Sequence, residues 1–472
     1  MVEILYSNYL NKKNAYEKIE QYYIGQTDAI LNYTTTDRSN SKVSVNYIKK
    51  FVKEETAYSV GNPITFSCKR EEDREMLYWI DKTNDNFREN HDINTFAAAV
   101  LFGVAYEVAY IDKFGNFQVK GLKPTEAYAE TDENGDIEYF IHVYKKREIV
   151  DNQEVFVDYI DYYTDTNIQV YRYTEKIELV NVIPHYFGEI PVGIARVSEY
   201  IENDTLFADI KTLQDAIETN LSDVVNEISD FRNAYLVLNG LTLDDSEAEK
   251  FKKNGIIEIP DSSGSAEWLI KNINDTFVQN TLATLQEKIY EMTSHINHND
   301  AKLMANASGI ALKSRLIALM QRCKINEGAY KDLVKIRIRL MFKYLAIKHS
   351  KVYDANDINI KFTPLIPSDD SSTAEMLRTL DGKLSLETGL GLLSFVEDGR
   401  AEVARLQHEG NRKTAIAEVQ ADLRSHQSYI EEFSQAPNGE FEKILEEKSK
   451  LEGSSIGEFE TVNTVKEDEI NE

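Results

Sequence analysis

Two histidines and an aspartate near the middle of the chain form its most obvious candidate metal site. His295 and His298 are three positions apart, and Asp300 follows them closely. Imidazole nitrogens and carboxylate oxygens at such spacings can bind a metal ion such as zinc. No fourth ligand is identifiable beside them, and histidines are common in the polar loops that follow helices. The pattern therefore favours a solvated loop, and we predict no metal ion and no other cofactor.

Carboxylates elsewhere do not complete a catalytic pattern. Asp261, Glu267 and Lys271 suggest the carboxylate set of a metal-dependent nuclease, but Glu-x-x-x-Lys is not the spacing of that signature. The stretch 309–314 ends in Lys-Ser but lacks the second glycine of a phosphate-binding loop. We therefore predict that the protein is not an enzyme. The alternative, a metal-dependent enzyme that processes nucleic acid, requires two or three acids that converge on one cleft.

The charge of the chain limits its partners. Its 80 aspartates and glutamates outnumber its 53 lysines and arginines, which gives a formal charge of −27 over 472 residues. Proteins that grip nucleic acid through the phosphates need a basic surface. The sequence therefore argues against a tight DNA-binding enzyme, but it is compatible with a surface past which DNA slides.

Cysteine usage and hydropathy predict a protein of a reducing compartment without a membrane partner. Cys68 and Cys323 cannot build a disulfide framework or a cysteine-based zinc site. The first residues contain no basic segment followed by an apolar one, so we expect no signal peptide. The longest nearly apolar run, 96–106, is too short to span a bilayer and favours a buried helix.

The spacing of apolar residues predicts an α+β fold that is mainly helical. Helical periodicity covers 1–35, 42–60 and 73–110. From about 104 to 200, short runs of β-branched and aromatic residues alternate with turn sequences such as Asp-Glu-Asn-Gly-Asp at 132–136. Runs of this kind predict a small antiparallel sheet region.

Three long helices are predicted in the second half of the chain. An acidic amphipathic helix at 204–233 leads to a compact insert at 234–275, and a second amphipathic helix at 276–296 leads back. A helix at about 309–349 then carries ten basic and two acidic residues. Two helices that bracket a small insert form a stalk, which buries too little surface alone and favours packing against copies of itself. A monomeric helical protein with solvated charged faces is the alternative.

Four groups of residues, in the same order along the chain, resemble bacteriophage portal proteins of the SPP1 type. They lie at 21–25 (QYYIG), 45–64 (VNYIK, then YSVGNPI), 102–107 (FGVAYE) and 308–316 (SGIALK, then RL). Each group is weak alone, but their order and spacing over roughly 15–350 are specific to this family. The region 370–434 matches only in helical character and position.

The resemblance implies a portal-type fold that assembles as a ring of about twelve subunits. The ring would surround an axial channel for double-stranded DNA at one vertex of a capsid. The implied regions are a wing at 1–203, stem helices at 204–233 and 276–296, a clip at 234–275, a tunnel loop at 297–308, a long helix with a wing strand at 309–366, a crown at 367–434 and an acidic, disordered tail at 435–472.

Candidate functional residues follow from this resemblance together with the charge pattern. A lumen that bound phosphates tightly would oppose DNA movement, so the residues nearest to DNA should be small or polar and the lumen acidic. The tunnel-loop candidates are Asn297, Asn299, Lys302, Asn306 and Ser308; the stem candidates are Asp215, Glu218, Asp223 and Glu227; the clip candidates for partner contacts are Glu258, Glu267 and Trp268. A solvated loop position for Lys302 and a buried clip-core position for Trp268 are equally compatible with the sequence.

The ten bases of the long helix would hold DNA if they lined the channel. We therefore expect most of them to pair with acids of adjacent subunits, which would make ring assembly depend on salt.

The resemblance also implies partners and a location. Contacts with DNA would be transient and independent of sequence. A separate terminase motor, the major capsid and scaffolding proteins, and a head-completion or neck protein would bind the ring. The protein would assemble in the cytoplasm of the bacterial host and lie at a vertex of the virion. A structural ring that does not conduct DNA is a third interpretation, and it differs from a portal only in what fills the hole.

Overall fold

The computed structural model divides the chain into two compact units, residues 1–365 and 366–472. The residues it describes are 1–34, 39–69, 74–150, 153–198, 200, 203–230, 235–239, 265–269, 275–297, 309–364, 370–380, 382–393, 396 and 399–433. Helices and strands are labelled in chain order within these ranges.

Five helices lie within the described part of the first 102 residues. They are α1 (Val2–Tyr23), α2 (Asp28–Asn32), α3 (Tyr47–Val60), α4 (Arg74–Asn84) and α5 (His91–Phe102). Side chains cap two of them, since Thr27 accepts a hydrogen bond from the backbone N–H of Ile30 and Asn46 accepts one from that of Lys49. Such caps satisfy N–H groups that have no partner inside the helix.

The predicted continuous helix over 73–110 is wrong. The segment contains two helices, α4 and α5, and then strand β2 (Val104–Ile111). Gly103, between α5 and β2, has a φ of 74°. Glycine adopts this left-handed conformation at little steric cost, so the chain ends the helix there and turns into the sheet. The apolar run is therefore shared between a buried helix end and a buried strand.

The antiparallel sheet region expected from about 104 to 200 is confirmed. Its other strands are β3 (Phe117–Leu122), β4 (Ala127–Thr131), β5 (Ile137–Val150), β6 (Gln153–Tyr163), β7 (Asn167–Tyr173), β8 (Ile177–Pro184) and β9 (Val192–Arg196). Three strands form a sheet in the order β3-β2-β9, and five form a second sheet in the order β4-β5-β6-β7-β8. Every pairing in the two sheets is antiparallel. Helix α1 packs on the second sheet through Leu5 and Tyr9, against Ile141 and Ile160.

The three long helices lie close to their predicted positions. They are α6 (Leu206–Asp230), α7 (Asp275–Thr293) and α8 (Gly309–His349), and each end is within three residues of the expected one. Helices α6 and α7 pack against each other. Between them, the described strands β10 (Tyr235–Asn239) and β11 (Ser265–Leu269) pair antiparallel. After α8, strand β12 (Ile358–Lys361) pairs with β1 (Thr65–Cys68).

Helix α8 runs through the core of unit one. Its side chains Tyr330, Leu333, Val334 and Met341 are fully buried, and the helix packs against β9, β2, α3 and α5. Burial of one such side chain contributes about 1.5–3 kcal/mol to stability. This half of α8 therefore has one face buried in the core and an exposed opposite face, which carries Gly328, Lys331, Asp332, Lys335 and Arg339.

Unit two is helical where it is described. It contains α9 (Asp370–Thr379), α10 (Leu386–Leu390) and α11 (Gly399–Phe433). Ser385 caps α10 by accepting a hydrogen bond from the backbone N–H of Thr388. These helices lie in the 367–434 stretch, for which helices were expected. The tail at 435–472 lies outside the described residues.

Gly121 makes the contact between α5 and strand β3 possible. A Cβ atom at this position would lie 2.4 Å from Oγ1 of Thr95. We expect Gly121→Ala to lower the free energy of unfolding by about 1–3 kcal/mol, because the helix must move away from the sheet. Gly328→Ala is the control. Nothing lies within 4 Å of its Cβ position on α8, so it should stabilise the protein by about 0.5–1 kcal/mol. Urea unfolding followed by circular dichroism measures both; equal midpoints would contradict the close approach.

Candidate functional site

The acidic residues of α6 do not share one environment. Asp215 accepts hydrogen bonds from the hydroxyl of Tyr22 at 2.8 Å and from Nζ of Lys211 at 2.8 Å. It also accepts one from the backbone N–H of Ala29 at 3.3 Å. This carboxylate therefore holds the end of α1 and the start of α2 against α6, and its hydrogen bonds are made within the chain.

Glu218 is buried against the same N-terminal segment. Its Oε1 accepts hydrogen bonds from the hydroxyl of Ser44 at 3.1 Å and from the backbone N–H of Val45 at 2.8 Å, and its Oε2 accepts one from the hydroxyl of Thr27. The side chain has no exposed surface, and burial raises the pKa of its carboxyl above the ordinary value. Glu218 thus anchors the segment that leads into α3.

The remaining stem candidates lie farther along α6. Asp223 is exposed and accepts a hydrogen bond from the hydroxyl of Tyr33 at 2.7 Å. Glu227 is half-buried on the following turn. Between them, Asn226 is buried and binds both the N–H and the C=O of Ser41. Of the four predicted acids, two therefore serve the internal structure, and Asp223 is the one with a largely exposed side chain.

Replacing Glu218 tests this anchoring role. Glu218→Ala leaves the hydroxyl of Thr27 and the backbone N–H of Val45 without an acceptor, so we expect a loss of about 1–3 kcal/mol. We also expect the amide of Val45 to exchange with solvent about tenfold faster or more. Asp223→Asn is the matched control on the same helix, and it should change neither quantity appreciably because its partner is exposed. Unchanged protection of Val45 in Glu218→Ala would show that Glu218 does not hold the segment.

Only part of the predicted tunnel loop and clip falls within the described residues. Asn297 follows the end of α7, whereas Asn299, Lys302, Asn306 and Ser308 lie outside the described ranges. In the clip, Glu267 and Trp268 lie in strand β11, opposite Val237 and Leu236 of β10. Glu258 lies outside these ranges. The partner and channel roles of these residues stay predictions.

A buried charged cluster joins four elements at the base of the α6–α7 pair. Glu55 of α3 has no exposed side-chain surface and accepts hydrogen bonds from Nε of Arg322 at 2.8 Å and Nδ2 of Asn326 at 2.5 Å. Arg322 of α8 also binds Asp209 of α6 at 3.0 Å. The cluster therefore connects the first turn of α6 and the long helix to the N-terminal helices.

His295 is the member of this cluster that follows α7. Its ring stacks on Phe51 with a centroid separation of 4.0 Å, and its Nδ1 lies 2.9 Å from the carbonyl oxygen of Thr293. Its Nε2 lies 3.7 Å from Oε1 of Glu55. The expected solvated position is wrong for His295, whose side chain is fully enclosed. His298 and Asp300 lie outside the described residues.

Burial and nearby charges shift the pKa values of this cluster. Desolvation raises the pKa of Glu55 to about 7, although Arg322 opposes the shift. Desolvation and the neighbouring Arg322 lower the pKa of His295 to about 3. His295 is therefore neutral in the folded protein over the whole physiological range.

A second buried cluster lies 15 residues farther along α8. Arg337 binds Oε1 of Glu107 through Nε at 2.8 Å and Oδ1 of Asp92 through a terminal nitrogen at 2.7 Å. His91 lies 2.6 Å from the other oxygen of Glu107. Burial alone would raise the pKa of Glu107, but Arg337 and His91 outweigh it and hold the pKa below the ordinary value. Unlike Glu55, this carboxylate is stably ionised.

Half of the ten basic residues of α8 pair with acids of the same chain, and the expectation that most pair with acids of an adjacent subunit stays a prediction. Five of the ten bind acids of the same chain: Arg322 and Arg337 as above, Lys324 to Glu327, and Arg339 and Lys343 to Glu189. A sixth, Lys348, donates to the carbonyl oxygen of Gly115. Arg337 is buried and Arg322 largely so, and both therefore need partners inside the fold, whereas Lys324, Arg339 and Lys343 lie nearer the surface.

The described residues form neither a metal-binding cluster nor a membrane-spanning helix. No group of three or more His, Cys, Asp or Glu side chains in these ranges could hold a metal ion. No helix within the same ranges is both long and apolar enough to cross a bilayer.

Comparison with known proteins gives matches over most of the chain. The family described as phage portal protein, SPP1 Gp6-like, matches residues 3–415. A relative named portal protein, from Bacillus phage SPP1, is 23% identical over 444 residues, which is 88% of this chain and 84% of the relative. Among solved structures, a chain from the neck of an empty gene transfer agent particle computed with C6 symmetry covers 73% of this chain and 88% of its own length, with 10% identity and a TM-score of 0.42. A chain from the virion of the native particle gives 10% identity, coverages of 73% and 87%, and a TM-score of 0.39.

Proposed function

This chain belongs to the phage portal protein family of the SPP1 Gp6-like type, and from that premise we propose that it forms a ring with an axial channel for double-stranded DNA. The ring contains about twelve copies. It lies at one vertex of the capsid, and the genome enters and leaves the particle through it. The family is structural, and no step of the proposal requires this chain to catalyse a reaction.

The observation that carries this proposal is the extent of the family match. It begins at residue 3 and ends at residue 415, so it includes α6, α7 and the whole of α8. A match limited to one helix could reflect composition alone. A match that spans the paired helices, the insert between them and both flanking regions supports the same assembly for this chain.

The regions are proposed as follows. Residues 1–203 and 309–366 form the wing, α6 and α7 form the stem, and 234–275 form the clip with the strand pair β10–β11. Residues 297–308 form the tunnel loop, and 367–434 form the crown. The packing of α6 against α7, with paired strands between them in the sequence, supports a stalk that ends in a small domain.

The arrangement of charges supports a channel that does not hold DNA. Tight binding to the phosphates would oppose translocation, because each neutralised phosphate adds to the affinity. Five bases of α8 are neutralised within the chain, so they have little capacity to grip a duplex. Asp223 and Glu227 are the stem acids we propose for the wall. Asn297, Asn299, Lys302, Asn306 and Ser308 are proposed to touch DNA transiently.

The proposed partners follow from the position of a portal at the capsid vertex. The major capsid and scaffolding proteins surround the ring during assembly in the host cytoplasm. A terminase motor binds the clip while DNA is packaged, and a head-completion or neck protein replaces it afterwards. Glu258, Glu267 and Trp268 are the clip residues proposed for these contacts.

Native mass spectrometry of the full chain tests the ring. With a subunit mass of 54.1 kDa, a ring of about twelve copies has a mass of about 650 kDa. We expect this mass at low salt and less of the ring at high salt, because the expected ion pairs between adjacent subunits are screened there. A protein that stays monomeric at every salt concentration, also when its scaffolding protein is added, would contradict the proposal. A DNA-processing enzyme would instead cut a duplex in the presence of a divalent metal.

A further inference from the structure

The outer edge of strand β8 is unusual for a soluble protein. It is the last strand of the five-stranded sheet, and its sequence Ile-Glu-Leu-Val-Asn-Val-Ile-Pro contains one charge, Glu178. Exposed edge strands have unpaired N–H and C=O groups that can pair with a strand of another molecule. Most proteins protect such edges with lysines, prolines or a covering element.

Apolar side chains are exposed on both faces of β8. Leu179, Val180, Val182 and Ile183 have between 44% and 55% of their surface exposed. Successive side chains of a strand point to opposite faces, so neither face of the outer part of the strand is covered. Among the described residues, β7 is the sole strand that pairs with β8. One bulge at Val180, which has no partner in the register, twists the edge without hiding its apolar surface.

The opposite edge of the same sheet is also open. Strand β4 pairs with β5 only from Ile137 to His142. Beyond that point the outer edge of β5, residues 144–150, has no strand beside it in the described part of the chain. This second edge is seven residues long, close to the eight residues of β8.

The two edges differ in charge. The outer half of β5 carries Lys145 and Lys146, which are exposed and form no ion pair with described residues. Arg147 in the same stretch pairs with Glu154. The β8 edge carries Glu178, and Glu175 and Lys176 precede it in the turn, so this edge has a net charge of −1. One edge is therefore basic and the other acidic, which favours pairing of unlike edges over pairing of like edges.

We propose that β8 of one copy pairs with the outer half of β5 of the next copy, so that the five-stranded sheet continues from subunit to subunit. The inference rests on the proposed ring. A ring needs two different, complementary surfaces on each subunit, because every copy meets its neighbours head to tail. The two ends of one sheet provide such surfaces.

Strand direction agrees with this pairing. Because neighbouring strands in this sheet are antiparallel, β8 runs opposite to β5 within one subunit. A rotation of about 30° relates adjacent subunits in a ring of about twelve, so it leaves strand directions nearly unchanged. The next copy therefore presents β5 antiparallel to β8, which is the pairing that this sheet already uses.

Engineered disulfides test the pairing in the full chain. Cysteine replaces Val182 in β8 and, in three separate variants, Lys145, Arg147 or Ile149 in β5. Cys68 is replaced by serine, and Cys323 remains because it is buried. Directly opposite residues in an antiparallel pair have Cα atoms about 4.5–5.5 Å apart, within reach of a disulfide. Within one subunit, three strand spacings put these positions about 14 Å apart, which excludes an internal bond.

In at least one of the three cysteine-pair variants, we expect oxidation to link most of the protein into covalent oligomers, which give a ladder of bands on a denaturing gel. The control combines Val182→Cys with Lys120→Cys, an exposed position in the other sheet, and should stay monomeric on a denaturing gel. Native mass spectrometry is recorded for every variant before oxidation. A ring of the expected mass with no ladder in any of the three variants would overturn the edge pairing and leave the proposed function intact. Absence of a ring in the unmodified protein would overturn the proposed function itself.

Discussion

Replacing Arg337 by methionine should lower the free energy of unfolding by about 3–5 kcal/mol. Arg337 is 2% exposed and binds Glu107, which is also 2% exposed, together with Asp92. Methionine fills a similar volume but carries no charge. It leaves the buried carboxylate of Glu107 without its arginine and also removes the partner of Asp92, whose side chain is 34% exposed. The cost of an uncompensated buried charge exceeds that of a lost surface pair.

Arg339→Met provides the matched control. Arg339 lies two residues farther along the same helix and pairs with Glu189, but 49% of its side chain is exposed. Exposed pairs contribute about 0–1 kcal/mol, so this variant should lose little stability. Urea unfolding at one protein concentration, followed by circular dichroism, compares the two variants. If Arg337→Met loses no more than Arg339→Met, the buried cluster does not stabilise the core as proposed.

Replacing His295 and replacing Glu55 should change the pH dependence of the free energy of unfolding in opposite directions. His295 has a folded-state pKa of about 3, below its ordinary 6.5. The unfolded chain therefore binds the extra proton, and stability is lost as the pH falls from about 6.5 towards 3, by on the order of 5 kcal/mol. Glu55 has a folded-state pKa of about 7, above its ordinary 4.5. The contribution of Glu55 to the free energy of unfolding is fully present below pH 4.5. It is lost as the pH rises towards 7, and the loss is on the order of 3 kcal/mol.

Between pH 4.5 and 6.5 these two effects oppose each other in the parent protein. His295→Phe keeps the stacking on Phe51 and removes the histidine titration, so its stability relative to the parent should rise as the pH falls from 6.5 to 4.5. Glu55→Gln removes the carboxyl titration, so its relative stability should fall over the same interval. His408→Gln, at an exposed position of α11, is the control. If the unfolding midpoints of both variants change with pH as the parent's do, the shifted pKa values of His295 and Glu55 are contradicted.

The long helices could be predicted from local sequence. The boundaries of α8 coincide with the predicted 309–349, because its length and the scarcity of Gly and Pro leave few alternatives. The sheet region could also be predicted, since turn sequences, one of them with Asn134-Gly135, separate runs of β-branched and aromatic residues. The error at 73–110 arose because a buried strand and a buried helix are both continuously apolar, and periodicity does not separate them.

The charged clusters could not be predicted in the same way. Glu55 and Arg322 are 267 positions apart, and Glu107 and Arg337 are 230 apart. Nothing local marks these residues as partners, and the bases of α8 were indistinguishable from a solvated stripe. The stem acids illustrate the same limit. Glu218 and Asp223 occupy one helix with the same charge, but Glu218 is covered by Ser44 and Val45, whereas Asp223 is exposed beside Tyr33.

The family, and with it the function, came from short strings of residues rather than from a catalytic pattern. A channel protein needs no converging nucleophile or metal cluster, so no catalytic pattern is required in its sequence. What identifies such a protein is the order of its structural parts. The matching strings lie at the end of α1, through α3, at the α5–β2 junction and at the start of α8, and these are positions where helices end, turn or enter the core.

Electron cryomicroscopy of the purified ring tests the central claim most directly. We predict a closed ring with an axial channel wide enough for a B-form duplex. Residues 297–308 should form its narrowest part, and Asp215 and Glu218 should face the N-terminal segment away from the lumen. A ring without an open centre, or a lumen lined by the bases of α8, would contradict a channel through which DNA slides.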